Sequence, residues 1–173
     1  MALTLYAATV PSFRQILGSV AGLLTKAQAF CTERGLASAE IIQARLAQDM
    51  LPFSFQIRST ARHSIGAIEG LRSGTFSPDR SALPETFAEL EAIVEGAEQA
   101  LAALDPAELE SLAEREVLFI AGERRLAFTG QDFLLSFAQP NFYFHATTAY
   151  DILRWKGLPI GKRDFSGQLR VKG

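Results

Sequence analysis

The side chains best suited to chemistry in this 173-residue chain cluster in Asn141-Phe142-Tyr143-Phe144-His145, which holds one of only two histidines. Asn141, His145 and Thr148 follow one another at steps of four and three, so they share one face of a helix. That face continues into Leu134 and Ala138 on one side and Ile152 and Trp155 on the other, and a face apolar at both ends points inward. A buried polar group without a partner costs about 1–3 kcal/mol, so three in succession need hydrogen bonds, water, a metal or a ligand. A ligand site and a self-satisfied structural network are both open readings. In the first, His145 is the candidate base or ligand, since imidazole titrates near neutrality, with Asn141 orienting it and Tyr150 beside it. Pro140 adds a predicted kink, because it lacks the amide that would bond the carbonyl of Ser136.

The other histidine, His63, sits on a seam of Asp49, Phe53, Gln56, Thr60, His63 and Ala67 that runs beside a more apolar one. If this seam faces inward, His63 and His145 approach as two nitrogen donors and Gln56, Asp49 and Arg154 close a pocket around them. If it faces out, His63 is a surface residue. A zinc site needs about three protein ligands, and the third would have to come from Asp49, Asp132, Asn141 or Gln56. No His-x-x-x-His or Glu-x-x-His pair, Gly-x-Ser-x-Gly motif or glycine-rich phosphate loop is present. Lys162 and Arg163 either reach toward an anionic ligand or belong to a solvated strap.

The elements that must hold these residues are helices. Val10, Phe13, Leu17, Val20, Leu24, Ala27 and Cys31 predict a first helix over residues 10–33, with Pro11 in its first turn and Gly35 as its stop. A short helix from Ser38 to the Asp49-Met50-Leu51-Pro52 boundary follows, then a second long helix over 53–71 carrying Ile57, Ser64, Ile68 and Leu71. Phe87, Leu90, Val94, Ala97, Leu101 and Leu104 mark a third, opening at Pro84-Glu85. Asp105-Pro106 starts a brief helix. Arg115–Ile120 and Arg124–Thr129 then switch to strand character around Ala121-Gly122-Glu123, which predicts a hairpin. Thr129 caps a fourth long helix that ends at Gly157.

With 48% hydrophobic residues and 21% charged, the chain has the apolar volume for one core and reads as a single domain over 1–173. Its 17 basic and 19 acidic residues, a net charge of −2, offer no footprint for nucleic acid or anionic lipid. The lone Cys31 cannot form an internal disulfide. The opening residues lack a signal-peptide pattern and no apolar run reaches about 18 residues, so the expectation is a cytoplasmic protein without membrane partners. Four amphipathic helices in one domain predict a four-helix bundle.

Phe144-His145-Ala146-Thr147-Thr148-Ala149-Tyr150-Asp151-Ile152-Leu153-Arg154, with Gly157-Leu158-Pro159-Ile160-Gly161-Lys162-Arg163-Asp164-Phe165 beyond it, resembles an uncharacterised bacterial family of the DinB/YfiT-like superfamily. Arg45-Leu46 with Asp49-Met50, Phe128-Thr129-Gly130-Gln131-Asp132 and Pro140-Asn141-Phe142 extend the similarity over nearly the whole chain. The resemblance implies an all-α, DinB-like four-helix bundle with a short helix between helices one and two and a small hairpin before helix four. Its superfamily includes metal-dependent enzymes and thiol S-transferases. Metal-binding members use one histidine on the second helix and a His-x-x-x-His pair on the last. Here His145 matches one member of that pair, Ala149 and Asn141 stand where the other would be, and His63 matches the remaining position. The implied set for a divalent metal such as zinc or nickel, His145 and His63, is thus incomplete. The leading expectation is a pocket that binds a small molecule, with or without catalysis; the rival is a non-catalytic bundle that forms a homodimer.

Overall fold

The structure, a computed structural model, describes residues 3–172. Its longest element is α1, Leu5–Arg34, capped by Thr4, whose hydroxyl accepts from the Ala7 amide, and ended at Gly35 in the left-handed region with φ 63°. The sequence places this start about one turn too late, because Pro11 reads as a first-turn residue; α1 instead carries it in its interior. The whole predicted face from Val10 to Cys31 is buried. Next, α2 spans only Ala39–Ile42, and a turn-rich segment replaces the rest of the expected short helix up to Pro52.

The second long helix is broken. It consists of α3, Phe53–Arg62, and α4, Ile65–Ser73, separated by His63 and Ser64. Ser64 leaves helical geometry with φ −104° and ψ −96°, and its hydroxyl donates to the Ala61 carbonyl. No proline or glycine occupies the break, and the apolar spacing from Ile57 to Leu71 runs straight through it, which is why periodicity alone predicts one rod. Helix α5, Phe87–Ala102, starts with a full capping box between Thr86 and Glu89 and buries the predicted face from Phe87 to Leu101. Helix α6, Pro106–Ser111, is capped by Asp105.

The hairpin forms as β2, Glu116–Ala121, antiparallel to β3, Arg124–Thr129, across Gly122-Glu123. A strand that the hydrophobic spacing does not announce, β1, Thr75–Phe76, pairs in parallel with β2 in register Thr75↔Leu118 and Phe76↔Phe119. The chain is therefore mostly helical with a small three-stranded sheet rather than helical with a lone hairpin. Two paired strands are marginal alone, and here the sheet leans on α4.

The last rod starts with α7, Gly130–Asp132, whose N-cap Thr129 accepts from the Asp132 amide. It widens into a π-helical turn over Phe133–Ala138 and continues as α8, Gln139–Trp155. Pro140 lies in the first turn of α8, so the lost amide is absorbed by the wide turn before it. A short α9, Lys162–Ser166, lies on α1. Around the core, α1 packs against α5 and α8, while α3 packs against α8 and α5. Among the described residues no helix is long and apolar enough to cross a membrane.

Candidate functional site

The face of α8 that carries the polar residues lies packed against α3. Gln56 of α3 is 2% exposed, so both ends of its amide need partners. Its Nε2 donates to the Leu51 carbonyl at 2.9 Å, which turns Oε1 toward His145 Nδ1 at 2.7 Å. An amide oxygen can only accept, so Nδ1 of His145 carries the proton and Nε2 carries the lone pair. Among the described residues Nε2 of His145 has no hydrogen-bond partner.

His63 ends α3 at the helix break and meets His145 with ring centroids 5.5 Å apart and planes 19° from parallel. Both polar seams thus face one space, and the break is what lets His63 leave the helical path toward it. The Nδ1 of His63 is buried and unpartnered. Burial pushes the His63 pKa down to about 3, helped by nearby His145 and the Arg62 guanidinium, and burial pushes His145 down to about 4. Both rings are neutral at physiological pH.

The two histidines line a cavity of about 270 Å³ between α3, the sheet and the last rod. Its walls are aromatic: Phe55 of α3, Phe76 of β1, Phe119 of β2 and Phe137 of the π turn. Phe137 lies 4.8 Å from Phe119 and 5.7 Å from His63, centroid to centroid, so the wide turn presents its side chain to the sheet and to the site together. Asn141 lines the same cavity, and its Nδ2 donates at 2.7 Å to the Phe137 carbonyl one turn back. Thr148 is satisfied within its own helix by the Phe144 carbonyl.

Two arginines complete the walls. Arg58, 8% exposed, donates to the carbonyls of Ser81, Ala82 and Asp79 and lies 3.6 Å from the Asp79 carboxylate, pinning the 77–86 loop over the cavity. Arg62 places its guanidinium 4.4 Å over the Phe76 ring and donates to the Ser77 carbonyl, while its Nε is buried without a partner. Sequence reasoning passes over both arginines and the aromatic walls. Their one signal is the four-residue spacing of Arg58 and Arg62 on the helix that carries Gln56 and His63, facing a turn rich in free carbonyls.

The remaining candidates lie elsewhere. Asp49 is exposed in the turns after α2, and Tyr150 packs on Phe165 of α9 at 5.8 Å. Arg154 is exposed and caps its own helix end through the Leu158 carbonyl. Neither Lys162 nor Arg163 lines the histidine cavity.

A divalent metal does not fit this donor set. Among the described residues no three His, Cys, Asp or Glu side chains converge. Gln56 is already engaged by Leu51 and His145, and Asn141 offers a neutral amide. The cavity's one carboxylate, Asp79, is held below its usual range by the Ser81 amide and hydroxyl and faces Arg58 and Arg62. Two guanidinium charges against one carboxylate leave the lining with a formal +1, which repels a cation.

The family model described as Domain of unknown function (DUF1993) matches residues 5–166. The chain belongs to this family. Among solved structures, the DUF1993 chain is similar to a DinB family member protein from Shewanella denitrificans, with a TM-score of 0.81 and 27% identity over 98% of this chain and 95% of that one. No curated protein matches it. Membership of DUF1993 and the likeness to a DinB family member agree with the resemblance carried by the last helix.

Proposed function

We propose that this chain is a DinB-like four-helix bundle whose activity is to bind a small organic molecule in the cavity between His63 and His145. The observation that carries the reading is a mostly apolar cavity with a few placed polar groups, in which the Gln56 contact leaves His145 Nε2 with a free lone pair and Asn141 stands beside the aromatic walls. Small-molecule sites combine apolar walls with a few placed polar groups, and a cavity of about 270 Å³ suits a ligand smaller than a typical drug.

In such a site His145 accepts a hydrogen bond from a ligand hydroxyl or amide through Nε2, Gln56 fixes the tautomer, and the Phe76 and Phe137 rings exclude water. A general base works best with a pKa near the operating pH, so a ring held at about 4 favours binding over proton abstraction. Catalysis by His145 with Asn141 would need a bound ligand to raise that pKa. A thermal-shift screen of small aromatic and aliphatic metabolites, repeated on His145→Leu, tests the reading. A panel that stabilises neither protein, or both equally, defeats it, and stoichiometric zinc or nickel lost on His145→Leu would restore the metal-centre alternative.

Exposed Phe144 and Trp155, at 58% and 63% on the outer side of α8, favour a second feature, a homodimer through that helix. Light scattering on the chain and on Trp155→Glu tests it. A cytoplasmic location suits the buried, unpaired Cys31.

A further inference from the structure

A ligand that fills the cavity takes water away from the polar atoms bordering it, so those atoms dictate what the ligand must carry. Three such atoms on the lining residues have no partner among the described residues and stay open to water: His145 Nε2, Asn141 Oδ1 and His63 Nε2. His145 is turned by its neighbour. Gln56 holds the Nδ1 edge of the ring and lies outside the lining, so the far edge, with Nε2, is the one that meets the cavity. The Asn141 amide donates through Nδ2 to the Phe137 carbonyl, which leaves Oδ1 as an acceptor. Residues four apart share a helix face, so α8 borders the space with two acceptors one turn apart.

The α3 side has the opposite character. The His63 ring packs on Phe76, Phe137 and His145, which all border the same space, and of its two nitrogens only Nδ1 is shut off from water. A neutral imidazole carries one proton, and a buried N–H without an acceptor is rarer than a buried acceptor without a donor. The proton therefore sits on Nε2, and His63 borders the cavity as a donor. Its ring centroid is 5.5 Å from that of His145. Two hydrogen bonds that meet at one oxygen span up to about 5.6 Å, so a single hydroxyl suits this pair.

Charge narrows the class further. The formal +1 of the lining disfavours a cation. An anion would set its lone pairs against those of His145 and Asn141, while Arg58 and Arg62 are engaged by Asp79 and the 77–86 loop. The walls are four phenylalanines, which favour an aromatic ring packed edge to face. A cavity of about 150 Å³ already admits benzene, so about 270 Å³ holds one substituted ring and a water.

Resting on the small-molecule reading above, we infer that the cavity is specific for a neutral phenol: its hydroxyl donates to His145 Nε2 and accepts from His63 Nε2–H, and its ring lies among Phe55, Phe76, Phe119 and Phe137. Asn141 Oδ1 takes a second donor, from a ring substituent or a retained water. An arene without a hydroxyl strips water from His145 Nε2 and returns nothing, and that loss makes the site selective.

Five one-ring probes decide this: phenol, anisole, toluene, benzoate and benzylammonium, titrated into the full chain by calorimetry near pH 7, where a phenolic hydroxyl with a pKa of about 10 is neutral. The chain has two histidines, so ¹⁵N spectra of histidine-labelled protein report each ring separately. Phenol is expected to bind about tenfold or more tighter than anisole or toluene, a gap of about 1.4 kcal/mol, with both charged probes weaker than phenol. It should shift His145 Nε2 and leave the Nδ1–H tautomer in place, and the free protein should show His63 protonated at Nε2. In His145→Leu the advantage of phenol over anisole should vanish while toluene binding persists. Equal binding of phenol, anisole and toluene, or a preference for benzoate or benzylammonium, overturns the phenol proposal and leaves a small-molecule site standing. So does a free protein with the His63 proton on Nδ1, since α3 then offers no donor. If none of the five probes binds or moves either histidine's resonances, the small-molecule reading falls with it. These outcomes are read on the unsubstituted chain, so the proposal stays testable even where His145→Leu does not fold.

Discussion

Gln56 Oε1 and His145 Nδ1 stand 2.7 Å apart, joining the second rod of the bundle to the last through a side chain that is itself anchored to the Leu51 carbonyl. Because the amide can be oriented only one way, a single buried glutamine dictates which nitrogen of His145 meets the cavity. Gln56→Leu removes that instruction and leaves Nδ1–H without a partner, so the variant should lose about 1–3 kcal/mol of stability. The ¹⁵N spectrum of His145 should change from one tautomer to a mixture. An unchanged tautomer would show that the ring is held by packing alone.

Acid should destabilise the fold through both histidines. Their folded pKa values, about 3 for His63 and about 4 for His145, lie below the unfolded value of 6.5. The unfolded chain therefore binds more protons than the folded one between these limits, and stability rises with pH there. The contribution is fully present above about pH 6.5 and is lost progressively as the pH falls toward 4 and then 3, at up to about 1.4 kcal/mol per pH unit for each ring. Urea unfolding at a series of pH values reads this out, and a His63→Leu, His145→Leu double variant should flatten the profile over that range.

The loop across the cavity depends on Arg58. Removing its guanidinium as Arg58→Met frees the carbonyls of Ser81, Ala82 and Asp79 and leaves the Asp79 carboxylate without its cation. Limited proteolysis should then cut within residues 77–86 much faster than in the parent, with a stability loss of about 1.5–3 kcal/mol. Cleavage at an unaltered rate would mean that the loop is held from elsewhere.

Gly130 is a packing constraint rather than a conformational one, since a Cβ there would run into the Leu112 carbonyl and crowd that of Ala113. The same close approach lets the Gln131 amide donate to the Ala113 carbonyl at 2.8 Å. Gly130→Ala should cost about 1–3 kcal/mol or more, as overpacking does, seen as a lowered melting temperature without a change in oligomeric state.

Much of this architecture is legible in the chain itself. The stripes Val10 to Cys31 and Phe87 to Leu104 are buried as their spacing predicts, and Asp105 and Thr129 cap helices as their types demand, while the third helix, expected to open at Pro84-Glu85, starts after Thr86. The irregularities are hidden for a physical reason. Ser64 breaks a helix with no residue that disfavours one, so only the packing around it records the break. Pro140 does announce a disturbance, but whether a proline kinks a rod or follows a wide turn depends on contacts from β2 and β3 that helical periodicity does not encode. Likewise Asn141, His145, His63 and Gln56 stand out by type and spacing, whereas Arg58 and Arg62 look like surface charges until the 77–86 loop lies over them. Asp49 shares the seam of Gln56 and His63 in sequence but lies in the turns before α3, while Tyr150 and Arg154 stand about 140° and about 180° around α8 from His145 and so face away from the cavity.

The wide turn at Phe133–Ala138 also acts as a phase shifter for everything downstream. Each residue advances an α-helix by about 100°, so a rod whose start is pinned at Gly130 aims His145 according to how many residues that turn contains. Winding the same six residues as ordinary α-helix would turn every later residue further around the axis and swing Asn141 and His145 away from Gln56 and out of register with His63. The less regular helix is the one that points the right way.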